Sequence, residues 1–193
     1  MGGSRGEAES PPLTGFVALM RGINVGGANK LPMTDLRALF EFCDAKSVAT
    51  YIQSGNVVFL APRGDGARIA AAVGSRVAEK FGFAAPVVIV EAPRLPAILG
   101  GNPFLARGED PAKLHIAFLS APADAARLAK LAPRRSPPDE FFAAERCVYL
   151  FLPNGVARSK LTNAWLDATL GVTSTLRNLT TATKLLQMVD ALR

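Results

Sequence analysis

Glycine and basic residues share a loop between the first apolar strand and the first helix, and such a loop could bind a phosphate. The stretch LMRGINVGGANKLPMTDL begins as a strand and ends as a helix, with Arg21 and Lys30 on either side of the glycines. Backbone N–H groups in such turns and cationic side chains are groups that bind phosphate. The glycines match neither G-x-x-x-x-G-K-[ST] nor G-x-G-x-x-G, so the loop alone identifies no nucleotide site.

A second set of basic and hydroxyl residues stands near the starts of the last two predicted helices. Arg158 and Lys160 lie in ARSKLTN, and Lys184 lies in LRNLTTATKL. The helix dipole favours acidic side chains at a helix start, so basic residues there break a local rule, and such conflicts tend to mark functional sites. Ser159 and Thr180 also have the types of ordinary helix caps, the commoner role of a single hydroxyl at such a position.

Catalytic and metal-binding groups are scarce in this sequence. His115 is the only histidine and lies mid-strand in KLHIAFL, so no Ser-His-Asp set can be assigned. Cys43 and Cys147 form no metal-binding motif, and a zinc site needs more ligands than these. We therefore expect no metal and no cofactor, and the sequence assigns no catalytic residue.

Length and composition indicate a cytoplasmic protein with a substantial core. The chain has 193 residues, of which 49% are hydrophobic, enough for one well-packed core or two small ones. No apolar run approaches the ~20 residues that span a bilayer, so no membrane association is expected. The first residues, MGGSRGEAESPPL, lack the apolar segment of a secretory signal. Two isolated thiols are typical of a reducing compartment.

The charge is basic and unevenly distributed. The formal net charge is +6, and residues 1–110 carry 11 Lys and Arg against 10 Asp and Glu, whereas residues 111–193 carry 11 against 6. A positive second half favours anionic partners, such as an anionic small molecule or single-stranded nucleic acid. A net charge of this size is also common in proteins that need it only for solubility.

The elements that must position these residues occur in the same order in both halves. In the first half, apolar residues recur every fourth position along a helix over 66–81, and two strands flank the turn at Ser54-Gly55. The order there is β-α-β-β-α-β. The second half repeats this order after a connector rich in proline and glycine, and it adds a last helix, TTATKLLQMVDALR.

This order predicts an α+β fold of two tandem ferredoxin-like (βαββαβ) units followed by a C-terminal helix. We expect a disordered tail over 1–13, a first unit with the connector over 14–103, and a second unit with the C-terminal helix over 104–193. One mixed sheet with helices on both faces is the alternative. The oligomeric state stays open.

The predicted topology brings distant residues together at one end of each unit. In the first unit, the end of the first strand and the hairpin between the next two strands share an end. The residues placed there are Arg21, Asn24, Lys30, Gln53, Ser54 and Asn56. In the second unit, two helix starts share an end, and helix starts favour anions. The residues placed there are Arg158, Ser159, Lys160, Arg177, Asn178, Thr180, Thr181 and Lys184. Whether the two patches form one cleft depends on how the halves pack.

Tyr149 and Phe151 lie two residues apart on one predicted strand, which is the spacing of an aromatic RNA-binding platform. The signature K/R-G-F/Y-G/A-F-V-x-F/Y is absent, which favours the interpretation that both rings belong to a core between two sheets. An exposed apolar surface at these rings would instead indicate a structural or interaction module.

Several motifs together resemble the bacterial domain-of-unknown-function family 1697. The segments that carry the resemblance are, in order from about Gly15 to Val189, ALMRGINVGGANKLPMTDLRALFE, TYIQSGNVVF, NPF, HIAFL, YLFLPNGVARSKLTN and TLRNLTTATKL. The resemblance implies a pair of ferredoxin-like, α-β plait domains, in agreement with the order of elements, and it implies no particular activity. Leu179 departs from the tryptophan that we associate with this position in the family.

The sequence thus favours a cytoplasmic protein that binds a phosphate-bearing anionic ligand, either a nucleotide or single-stranded nucleic acid, at these basic patches. An enzyme that acts on a small phosphorylated or carboxylated substrate through electrostatic stabilisation is the first alternative, and it requires an enclosed pocket near those residues. A structural or interaction module is the second alternative.

Overall fold

Two four-stranded antiparallel sheets form the framework of the computed structural model, in which residues 11–131 and 136–192 are described. The first sheet contains β1 (Leu13–Met20), β2 (Lys46–Tyr51), β3 (Asn56–Pro62) and β4 (Val87–Glu91). The second contains β5 (Leu114–Leu119), β6 (Glu140–Ala143), β7 (Cys147–Phe151) and β8 (Ser174–Asn178). The spatial orders β2-β3-β1-β4 and β6-β7-β5-β8 are those of a βαββαβ unit in each half. The predicted α+β fold is confirmed, and the single mixed sheet is excluded.

The helices follow the strands in the predicted order. They are α1 (Met33–Phe42), α2 (Gly66–Phe81), α3 (Leu95–Gly100), α4 (Pro103–Ala106), α5 (Ala125–Ala129), α6 (Asn163–Leu170) and α7 (Leu179–Asp190). The C-terminal helix α7 is confirmed, and α2 spans the residues predicted for it. Within the described ranges, no helix has the length and apolar character needed to cross a membrane. Residues 1–10 of the predicted tail lie outside the described residues, and β1 begins at Leu13.

Three apolar clusters form the core, one on the helix-covered face of each sheet and one between the two sheets. Strand β1 is an unbroken apolar run because it is buried on both faces. Phe16 and Ala18 face α1 and α2, whereas Val17 and Leu19 face the second half of the chain. Because successive side chains of a strand point to opposite faces, a strand buried on both faces needs apolar residues throughout.

The layer between the sheets contains α7 and the connector helices, together with the rings of Tyr149 and Phe151. Tyr149 is buried, and its hydroxyl donates to the carbonyl oxygen of Ile98 at 2.8 Å. Phe151 is half-buried and packs against Phe104, with ring centroids 6.2 Å apart. The interpretation of these residues as core between two sheets is confirmed.

Candidate functional site

Arg177, near the end of β8, joins the second half of the chain to the first. Its Nε donates to Asn56 Oδ1, and its Nη2 donates to the carbonyl oxygens of Met20 at 2.6 Å and Ser54 at 3.2 Å. On its own strand, Nη1 donates to the Thr175 hydroxyl at 2.8 Å and to the preceding residue's carbonyl oxygen at 2.7 Å. The guanidinium therefore connects β8 with the end of β1 and with the hairpin before β3.

The positive charge of Arg177 has no acidic partner in the described part of the chain. Burial lowers the pKa of Arg177 to about 10, because loss of water disfavours the charged form. The guanidinium remains protonated at neutral pH, and its acceptors are neutral oxygens, among them that of the fully buried Asn56. Arg177 thus adds positive potential to its surroundings while its own donors are occupied by protein groups.

A second contact between the halves lies beside Arg177. Nη1 of Arg21 donates to Asp167 Oδ2 in α6 and to the carbonyl oxygen of Ser174 at 3.2 Å. Asp167 also accepts from the backbone N–H and the hydroxyl of Ser174, each at 2.7 Å. We call Arg21, Asn56, Asp167, Ser174 and Arg177 the inter-sheet seam.

The inter-sheet seam brings the two predicted basic patches into contact. Arg21 and Asn56 come from the first patch, and Arg177 comes from the second. Their polar groups mostly contact each other and nearby backbone, which is the pattern of a structural network. The patches therefore meet, and a ligand has to be bound by neighbouring groups that the protein leaves free.

The glycine-rich loop after β1 closes into a small hairpin. Its turn residues Gly26 and Gly27 have φ of +57° and +80°, which suits glycine, and no atom lies within 4 Å of a Cβ built on either. Asn24 holds the hairpin in place, because its Nδ2 donates to the carbonyl oxygens of Leu31 at 2.9 Å and Gln53 at 2.8 Å. The loop is thus fixed to the β2–β3 hairpin, as the topology predicted.

Several predicted ligand residues have exposed side chains without a hydrogen bond or ion pair to any described residue. They are Lys30, Gln53, Arg158, Thr180 and Lys184. By contrast, the Asn178 side chain caps α7 by accepting from the Thr181 N–H at 2.8 Å. The Ser159 hydroxyl accepts from the backbone N–H two residues later at 3.0 Å, and the Lys160 N–H donates to the Ser136 hydroxyl at 3.2 Å. Their roles toward a ligand stay predictions.

The two helix starts expected to lie together are apart. A 3-10 turn and an extended stretch follow β7, and α6 begins only at Asn163, where Thr162 rather than Ser159 provides the capping hydroxyl. Asn163 Oδ1 lies 3.2 Å from the Ser174 hydroxyl, at the start of β8, whereas α7 begins after Asn178, at the end of β8. The length of β8 separates them by about 13 Å at ~3.3 Å per residue.

An open cleft of about 340 Å³ lies between the end of β2 and the first turns of α7. It is lined by Tyr51, Pro111, Leu179, Thr180, Thr183, Lys184 and Gln187. We call it the Tyr51 cleft. Tyr51 belongs to the first half of the chain and is half-buried, because it also packs against the core between the sheets. Two predicted ligand residues, Thr180 and Lys184, therefore face a residue of the other half.

The inter-sheet seam fixes the strand end that carries Tyr51. Nδ2 of Asn56 donates to the carbonyl oxygen of Tyr51 at 3.2 Å and to the Ser54 hydroxyl at 2.9 Å, while its Oδ1 accepts from Arg177. The buried amide of Asn56 thus connects the guanidinium to the backbone of the β2–β3 hairpin. Arg177 acts on the Tyr51 cleft through this connection.

Among the described residues, the histidine and the two cysteines lack the features of activated catalytic groups. His115 is half-buried, its Nδ1 lies 3.3 Å from the carbonyl oxygen of Lys113, and burial lowers its pKa. Burial raises the pKa of the Cys43 and Cys147 thiols, which makes them poor nucleophiles. No group of three His, Cys, Asp or Glu in the described ranges is placed to hold a metal ion. The chemistry available at the Tyr51 cleft is binding by charge, hydrogen bonds and ring contact.

Sequence reasoning missed five of the seven residues that line the Tyr51 cleft, among them Tyr51, Thr183 and Gln187. The helix residues could have been found, since Thr183 and Gln187 share a helix face with Thr180 and Lys184 at spacings of three and four. No local pattern points to Tyr51, because its place opposite α7 depends on how the two halves pack.

Comparison with known families places the chain without assigning it an activity. A family model described as a protein of unknown function (DUF1697) matches residues 13–149, and the chain belongs to this family. The two motifs of the resemblance that extend beyond residue 149 lie partly or wholly outside the matched range. No functionally curated protein matches the chain.

A solved structure has a similar fold over nearly the whole chain. It is described as the conserved bacterial protein SP0830 from Streptococcus pneumoniae. The similarity covers 92% of this chain and 99% of that chain, with a TM-score of 0.72 and 23% sequence identity. At this identity the comparison supports the fold, which agrees with the two βαββαβ units described above.

Proposed function

We propose that this member of the DUF1697 family binds a phosphate-bearing ligand, a nucleotide or single-stranded nucleic acid, in the Tyr51 cleft. One observation carries the proposal: an aromatic ring, two threonine hydroxyls and a lysine without a partner among the described residues line the same open groove. The ring could stack on a base, the hydroxyls could bind a sugar, and the lysine could bind a phosphate.

Tyr51 provides the surface on which a base would stack. Its ring is packed on the core side, and the remaining surface faces the cleft beside Leu179 and Pro111. Stacking of a base on an aromatic side chain contributes about 1–3 kcal/mol and tolerates any base. Because packing already holds the ring in place, little conformational entropy would be lost on binding.

Lys184 provides the charge for a phosphate, and Thr180 and Thr183 provide hydroxyl donors one turn or less away on the same helix. No Asp or Glu is among the residues that line the cleft, so nothing there opposes an anion. Arg177 adds positive potential from behind the β2–β3 hairpin. An open groove suits a strand that passes through it, whereas the enzyme alternative calls for an enclosed pocket.

Fluorescence anisotropy of a labelled single-stranded RNA, measured at about 50 and 200 mM salt, tests the proposal. Lys184→Ala should weaken binding and reduce the salt slope by about 0.7, the value for one phosphate contact on a single strand. Tyr51→Leu keeps apolar bulk but removes the ring, so it should weaken binding roughly 5- to 100-fold at either salt concentration.

Lys46→Ala is the matched control, because Lys46 is exposed at the other end of β2, about 16 Å from Tyr51 by strand length. It removes the same charge from the same chain and should change the affinity little. Equal losses in Lys46→Ala and Lys184→Ala would refute a defined site in the cleft. A labelled mononucleotide that binds as tightly as the RNA would identify a nucleotide as the ligand, and absence of both would overturn the proposal.

A further inference from the structure

A second cavity, of about 260 Å³, lies between the two halves and shares no lining residue with the Tyr51 cleft. Its first-half wall includes Ile89, Glu91 and Arg94, from β4 and the turn after it. Its second-half wall includes Phe118 and Arg146, from β5 and the residue before β7. We call it the arginine cavity. Neither arginine belongs to the basic patches considered above.

The two arginines leave positive charge at the arginine cavity that the protein does not neutralise. The Arg146 side chain has no hydrogen bond or ion pair to any described residue. Nε of Arg94 lies 3.8 Å from Glu91 Oε2, too far for a hydrogen bond, and both side chains remain partly exposed. The lining therefore contains one acidic residue, Glu91, and two basic residues, Arg94 and Arg146, which gives it a net charge of one positive unit.

The arginine cavity also has apolar side chains in its lining, beside its polar groups. Phe16, Ile98 and Phe118 line it together with Ile89 and Val90. A guanidinium binds a carboxylate through two parallel hydrogen bonds, and apolar side chains next to it favour a hydrocarbon body. A bare phosphate would make no use of these apolar side chains, and its second negative charge would add repulsion from Glu91. The lining therefore selects an amphipathic monoanion.

We propose that the arginine cavity binds a small monocarboxylic acid with an apolar or aromatic body, its carboxylate between Arg94 and Arg146. At about 30 Å³ per water-sized group, the volume accommodates roughly nine non-hydrogen atoms. Such a ligand touches both halves and binds the folded chain alone, so it stabilises the protein by linkage.

Benzoate is a probe of matching size, and benzamide is its neutral counterpart of the same shape. Isothermal titration of the full chain should give a benzoate Kd on the order of 1 mM and no measurable binding of benzamide. Arg94→Met and Arg146→Met, which keep the apolar stems, should each weaken benzoate binding roughly tenfold. Arg37→Met, which removes an exposed arginine of α1, should leave the Kd unchanged.

A fourth variant tests the location without altering charge. Ala67 is an exposed residue of α2 that lines the cavity, and Ala67→Leu retains a good helix former while filling space there. It should abolish benzoate binding while the melting temperature without ligand stays close to that of the parent. Equal binding of benzamide and benzoate, equal losses in Arg37→Met and Arg146→Met, undiminished binding in Ala67→Leu, or no benzoate binding up to about 10 mM would each overturn the proposal.

Discussion

Replacing Arg177 by methionine should separate the architectural role of the inter-sheet seam from a direct role in binding. Methionine keeps the length and apolar stem of the side chain but removes its charge and donors. The change eliminates three hydrogen bonds between the halves, those to Asn56, Met20 and Ser54. It leaves the amide oxygen of Asn56, a residue with no exposed surface, without its donor.

The structure sets the size of the expected effect. A hydrogen bond from a charged donor contributes about 1.5–3 kcal/mol, so three of them exceed the loss usual for a single surface substitution. Arg177 is also buried without an acidic partner, and removing such a charge returns part of this loss. We expect a net decrease of about 2–4 kcal/mol in the free energy of unfolding, and a decrease in Tm of roughly 5–15 °C for a chain of this size.

Arg177→Lys separates charge from geometry. Lysine retains the positive charge, but a single ammonium group cannot replace a planar guanidinium that donates to Asn56 and Met20 from different nitrogens. This variant should therefore show most of the destabilisation of Arg177→Met. If only the charge of Arg177 stabilised the protein, Arg177→Lys would instead be as stable as the parent.

Urea unfolding followed by circular dichroism at pH 7 measures these differences. Arg158→Met is the control, since Arg158 is exposed and its side chain forms no hydrogen bond or ion pair with a described residue, and its effect should stay within about 0.5 kcal/mol. Arg177→Met within the same 0.5 kcal/mol of the parent, or full rescue by lysine, would refute the reasoning about the seam.

Two further predictions concern a glycine and the only histidine. Gly55 has φ of +72°, and a Cβ there would lie 2.5 Å from Met20 Cβ, so Gly55→Ala should cost about 3 kcal/mol in urea unfolding. Gly82 has φ of +76°, but no atom lies within 4 Å of a Cβ built there, so Gly82→Ala should lower the free energy of unfolding by only about 1 kcal/mol. Equal losses of stability in Gly55→Ala and Gly82→Ala would show that the clash with Met20 is not the cause. Burial lowers the pKa of His115 below its unfolded value of about 6.5, so the unfolded state binds the proton more tightly. The free energy of unfolding should therefore decrease as the pH drops from about 6.5 to the folded pKa and level off below it, and His115→Gln should flatten this slope.

Local patterns were sufficient for the elements and for contacts within one unit. The four-residue spacing of apolar residues defined α2, because a helix must bury one face whatever its surroundings. The βαββαβ order then placed the loop after β1 beside the β2–β3 hairpin, and the contact of Asn24 with the Gln53 carbonyl is at that place. Both inferences depend on interactions along one short stretch or between neighbouring strands.

The start of α6 and the Tyr51 cleft could not be inferred in the same way. Ser159 and Thr162 are both suitable helix caps, and the folded chain uses Thr162. Asp167 of this helix accepts hydrogen bonds from Ser174 of its own half and from Arg21 of the first half, and the contact with Arg21 arises only once the halves are packed. Tyr51 faces α7 for the same reason. Periodicity predicts which face of an element is buried but not which part of the chain covers it.

The inter-sheet seam also changes what a binding measurement on Arg177 can show. Its donors are occupied by protein, and it is connected to the Tyr51 cleft through Asn56, whose Nδ2 donates to the Tyr51 carbonyl oxygen at 3.2 Å. Arg177→Met, assayed well below its melting temperature, should therefore weaken RNA binding by disturbing the stacking ring while leaving the salt slope at the parent's value. Lys184→Ala should lower that slope by about 0.7, because it removes a phosphate contact. A reduced slope in Arg177→Met would mean that this guanidinium contacts a phosphate directly, and the seam would then have to open when the ligand binds.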